Sequence, residues 1–136
     1  MKKLILLLSV FALVLTSCNS DDDNNNGSSE DLFIGSWKFS QSFEDGVEQE
    51  LIPCSDIGII MIASDGTFTS TGYDDFGNGC ELDFSQSGIW ENSGSGMYSI
   101  SVDNETEVIQ AEFSDNTMIL FQNSDGIVYR DIYIRQ

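Results

Sequence analysis

From Leu32 to the C-terminus, apolar side chains do not recur at helical spacing over any useful length. They alternate with polar ones in short runs, and the runs are separated by Gly, Asp, Asn and Ser. A period of two is the mark of a strand with one face buried, so the pattern predicts antiparallel sheet throughout. Trp37, Phe39 and Phe43 are expected on one face of the first strand, which Glu44-Asp45-Gly46 turns back through Val47 to Leu51. Ile57 to Ala63 follows, then the hairpin signal Ser64-Asp65-Gly66. Thr67 to Tyr73 returns with Phe68 facing inward. Cys80 to Phe84 and Gly88 to Glu91 read as one strand kinked around Gln86 to Gly88. Beyond the turn at Asn92 to Gly96, Tyr98, Ile100 and Val102 alternate with polar residues. Glu107 to Phe113, Thr117 to Gln122 and Ile127 to Ile134 complete the set.

Eight or nine strands joined by tight turns make an all-β, antiparallel, up-and-down meander. About eight such strands close into a β-barrel and so remove their exposed edges. A barrel of that size is either filled by its own side chains or holds one small ligand. The residues expected to point inward are Trp37, Phe39, Met61, Phe68, Trp90, Tyr98, Ile100, Phe113, Met118 and Leu120. Two readings stand for them. They line an apolar ligand cavity, with Met and aromatics as adaptable walls, or they are a close-packed core.

The front end reads as an address. Met1-Lys2-Lys3 is a short positive start, and Leu4 to Leu15 is apolar apart from Ser9. Twelve residues are short for a permanent membrane helix, and the pattern is that of a signal peptide over residues 1–17. Leu15-Thr16-Ser17-Cys18 resembles the bacterial lipobox, which implies that Cys18 becomes the lipidated first residue of the mature chain. The alternative is a soluble secreted protein with a chance Cys at the cleavage site. Residues 18–31 include no apolar residue from Asn19 to Glu30 and are expected to form an acidic, flexible tether. Its run Ser20 to Asp23 resembles the export signal that carries Bacteroidota lipoproteins to the cell surface; a plain solvated spacer is the other reading. The folded domain is then 32–136.

The charge balance excludes several classes of function. Five Lys and Arg stand against 23 Asp and Glu, and Lys2 and Lys3 fall within the leading segment. Nucleic acids and anionic lipid surfaces both require basic patches that this chain lacks. There is no His, no phosphate-binding loop and no metal-ligand spacing, so neither a cofactor nor an enzyme activity is expected. A carboxylate pair acting as acid and base is the residual enzymatic reading, but with so many acids proximity alone means nothing. Asp74, Asp75, Asn78 and Glu81, and Asp103, Asn104, Glu105 and Glu107, fall short of the calcium-loop pattern and read as solvated loops.

Cys54 and Cys80 remain once Cys18 is set aside. A pair in an exported domain most often forms a disulfide. This one would staple the base of the Ile57–Tyr73 hairpin to the neighbouring strand. Two free thiols are the alternative, although nothing nearby would lower a thiol pKa.

Several stretches taken in order resemble one family. Gly35-Ser36-Trp37-Lys38-Phe39 is similar to the opening G-x-W strand of lipocalins. Cys54, Asp65-Gly66-Thr67-Phe68, Cys80, Gly88-Ile89-Trp90 and the closing Ile132-Tyr133-Ile134-Arg135 follow as in the lipocalin-like domain of Bacteroidota lipoproteins. The resemblance spans residues 34–136. It implies a calyx-like barrel, a small apolar or amphipathic ligand, and a late Arg, Arg130 or Arg135, stacked on Trp37. It also implies a lipid-anchored protein of the outer membrane, either surface-exposed or facing the periplasm. The chain is shorter than the longer lipocalins, which leaves a second function open: a protein- or glycan-interaction module with a filled barrel and no ligand.

Overall fold

The computed structural model describes residues 29–136. All of its regular structure is strand: β1 (Gly35–Glu44), β2 (Val47–Glu48), β3 (Ile59–Ile62), β4 (Thr67–Asp75), β5 (Cys80–Gly94), β6 (Met97–Val102), β7 (Glu105–Ser114), β8 (Thr117–Ser124) and β9 (Ile127–Arg135). Each strand pairs antiparallel with its neighbours in the order β2-β1-β3-β4-β5-β6-β7-β8-β9, and β1 also pairs with β9. The last pairing closes eight strands into a barrel; β2 is a two-residue addition to the edge of β1. Residues 1–28, with the signal, Cys18 and most of the tether, lie outside the described residues.

One end of the barrel is plugged. The chain enters through a turn at Leu32 and Phe33, and the Phe33 ring is buried, 2% exposed, inside the barrel. It stacks on Tyr98 with centroids 4.2 Å apart and meets Trp90 edge-on at 5.3 Å. Trp37 donates its indole N–H to the Phe33 carbonyl at 2.8 Å, and Trp90 donates to the Ala63 carbonyl at 2.9 Å. Buried indole donors are thus both satisfied, as the interior demands. Arg135 lies 4.2 Å over Trp37 and donates to the carbonyls of Ile34 and Leu32. Of the two arginines expected to cover Trp37, Arg135 does so; Arg130 lies outside, 4.0 Å over Phe43.

Three expectations need correction. Met61 points outward and is 59% exposed; Ile60 and Ile62 face the interior instead, because β3 pairs Trp37 with Ile60 and Gly35 with Ile62. Phe43 does not share the inner face with Trp37 and Phe39. A bulge between Phe39 and Gln41 shifts the phase of β1, so Ser42 turns inward and Phe43 outward. The strand Cys80–Gly94 runs unbroken through Gln86 to Gly88; the irregularities fall opposite Gly72/Tyr73 and near its end at Asn92/Gly94.

Candidate ligand chamber

The interior changes character along the barrel axis. Trp37, Phe68, Trp90, Tyr98 and Met118 of the expected inward set are buried together with Phe33, Ile62, Ile109 and Ala111 near the plugged end. Ile100, Phe113 and Leu120 pack against this cluster and are partly buried. Phe39 lies further along, edge-on to Tyr133 at 5.5 Å. Above the cluster the inward positions turn polar: Ser42, Ser70, Gln86, Glu107, Gln122 and Asp131. Gln86 and Glu107 are exposed at the rim, and Ser42, Ser70, Gln122 and Asp131 are half-buried.

Two spaces with walls in common open in this upper half. The axial chamber, of about 190 Å³, runs from Phe33, Phe68 and Met118 at its floor to Gln86, Glu107, Gln122 and Asp131 at its mouth. The side chamber, of about 240 Å³, is lined by Phe39, Ile52, Gly58, Thr71, Gly72, Phe84 and others. Ile60, Ser70 and Tyr133 line both. Each alone is smaller than the usual pocket for a drug-sized molecule, about 300–1,000 Å³.

The side chamber has a topological cause. β3 has four residues and pairs only with Gly35–Lys38 of β1, whereas β4 has nine. The second half of β1 therefore has no β3 beside it, and a gap opens in the wall toward the far half of β4. The connection 49–58 lies across this gap. It is held by Gly58 against the Thr71 backbone and by the Ile59 N–H on Thr71 Oγ1 at 3.3 Å. A Cys54–Cys80 disulfide ties the same connection to the start of β5. Ile52 and Phe84, both exposed, stand at its rim.

The plugged end carries the main electrostatic feature outside the lumen. Asp31 accepts the Phe33 N–H at 2.9 Å, the Tyr98 hydroxyl at 2.8 Å and an Asn92 amide N–H. Burial opposes its charge, but these three donors outweigh it and hold its pKa below the usual carboxylate value. Burial, and then the bond to Asp31, push the Tyr98 phenol upward. Away from the lumen, Asp75 Oδ1 accepts the backbone N–H groups of Gly77 and Gly79, so this acid serves its own loop. Among the described residues no group of three or more Cys, Asp or Glu is placed to hold a metal ion.

The sequence reading missed Phe33, Ile60, Ile62, Ile109, Tyr133 and the polar half of the lining. Phe33 precedes the first strand and so belongs to no periodic run. Ser42, Glu107 and Asp131 read as ordinary outward polar positions until pairing fixes their phase.

A closed antiparallel barrel with one plugged end and a hollow upper half defines a calyx-type protein. The family model of the lipocalin-like domain matches residues 33–120, and the chain belongs to that family. No curated protein matches it.

Proposed function

We propose that this protein is a lipid-anchored lipocalin-like lipoprotein that binds a small apolar or amphipathic molecule in the barrel and turns over nothing. The family membership supports small-ligand binding in general. The observation that carries the reading for this chain is the pair of chambers above a fully packed floor. Apolar walls stabilise a guest by about 25 cal/mol per Å² of apolar surface removed from water. The polar mouth orients one end of the guest toward solvent. Anchoring through Cys18, and a place on the outer membrane facing the cell exterior or the periplasm, rest on the N-terminal sequence pattern.

A second reading, the protein- or glycan-interaction module, draws support from exposed apolar side chains at the side opening, Ile52 and Phe84. Native mass spectrometry of the protein taken from its membranes separates the two. The ligand reading expects an extra mass that solvent extraction removes. A bare chain, with or without extraction, favours the interaction module.

A further inference from the structure

Two carboxylates stand at the mouth of the axial chamber with no cation among the described residues to face them. Asp131 on β9, half-buried, and Glu107 on β7, exposed at the rim, both line it. Ser42 Oγ donates to one oxygen of Asp131 at 2.6 Å, and Gln122 Nε2 donates to Glu107 Oε1. These donors are neutral, so neither negative charge is balanced. The three basic side chains among the described residues are all engaged elsewhere. Lys38 sits 4.0 Å from Asp56, Arg130 covers Phe43 on the outer wall, and Arg135 is hydrogen-bonded to the plug.

Tyr133 is the third polar group. It lies two residues beyond Asp131 on the same face of β9 and borders both chambers. Burial first and the charge of Asp131 second raise the pKa of its phenol. It faces the space a guest would fill.

Unbalanced carboxylates at the mouth of an apolar chamber favour a cationic guest and oppose an anionic one, and half-buried Asp131 is less screened by water than exposed Glu107. The size is limited too: at about 190 Å³ the chamber is smaller than the usual pocket of about 300–1,000 Å³ for a drug-sized molecule, so the tail is short. We infer that the axial chamber selects a small organic amine, its ammonium held by Asp131 and Glu107 and its apolar tail lying toward Phe68 and Met118. The inference rests on the reading of the chamber as a ligand site and names the ligand class for it.

The test uses the full chain carrying Cys18→Ser, to keep lipid off, and three probes of one size: hexylamine, hexanol and hexanoate. Affinities are measured by ligand-detected NMR titration at neutral pH. Hexylamine should bind about tenfold more tightly than hexanol, and hexanoate about tenfold more weakly, as one charge contact each way implies. In the Asp131→Asn, Glu107→Gln double variant the amine and alcohol should come within about twofold, with hexanol affinity kept. The remaining surface acids are unchanged in that variant, so a diffuse attraction of amines to an acidic protein would survive it. Survival of the full amine preference therefore overturns the inference. So does hexanoate binding as tightly as hexylamine. Hexanol bound without any charge preference overturns the amine selectivity alone, and no binding by any probe overturns the ligand chamber itself.

Discussion

At the scale of single residues, the two G-x-W motifs owe their glycines to what crosses over them. At Gly35 a Cβ would run into the Arg135 guanidinium, and the backbone sits at φ +148°. At Gly88 a Cβ would meet the Ser101 carbonyl and come within 2.7 Å of the Phe68 ring. Gly88→Ala should therefore destabilise the domain by about 1–3 kcal/mol, the usual range for overpacking; an unchanged urea midpoint would contradict this. Asp31 gives a pH signature. Its folded pKa is lowered, so the stability it supplies is complete above the ordinary carboxylate pKa and is lost as pH falls through the folded value. Asp31→Asn should lower the melting temperature at pH near 7 and converge with the parent well below the model-peptide value of about 3.9. A constant gap down to the acid limit would show that charge plays no part. The inward Trp37 and Trp90 were legible in the sequence because each stands in an alternating run. Met61 was not, since Ile59-Ile60-Met61-Ile62 has no alternation and only the pairing with β1 sets its phase.

At the scale of elements, the β1 bulge and the short β3 shape the lumen. The bulge turns Ser42 inward to meet Asp131, and the four-residue β3 leaves the wall gap that the connection 49–58 crosses. The turns at Ser64-Asp65-Gly66 and Asp125-Gly126 could be read directly: Asp125 and Gly126 both take up the positive φ that tight hairpins need, and in the first turn Gly66 does so. The bulge could not, because nothing in Phe39-Ser40-Gln41 departs from a regular strand. The disulfide bears on the gap as well as on stability. Cross-linking residues 26 apart stabilises by about 3.5 kcal/mol through loop-closure entropy. Cys54→Ser should lower the melting temperature in oxidising buffer and leave it equal to the reduced parent. Equal melting of the two oxidised proteins would mean that the bridge does not form in solution.

At the scale of the whole molecule, charge is distributed in a way that composition alone does not disclose. The formal net charge is −18, yet the carboxylates that matter for the chamber are two at its mouth, and the cations among the described residues lie at the plug and on the outer wall. The barrel and its approximate strand count followed from periodicity; the division into packed floor and hollow top did not, because volume is a property of closure and register. The N-terminal pattern adds a prediction for the full chain: Cys18→Ser should shift the protein from the membrane fraction to the soluble one, and complete retention in membranes would contradict lipid anchoring.

Ligand binding depends on the hollow upper half, and Ser70 tests it most directly because it lines both chambers. Calorimetric titration of hexanol should be compared for the full chain carrying Cys18→Ser with and without Ser70→Phe. One bound hexanol with a negative heat-capacity change is expected in the parent. Ser70→Phe should lose that binding, with a cooperative melting transition preserved. Hexanol binding that is unaffected by Ser70→Phe, or absent from the parent, would contradict a ligand chamber in the barrel.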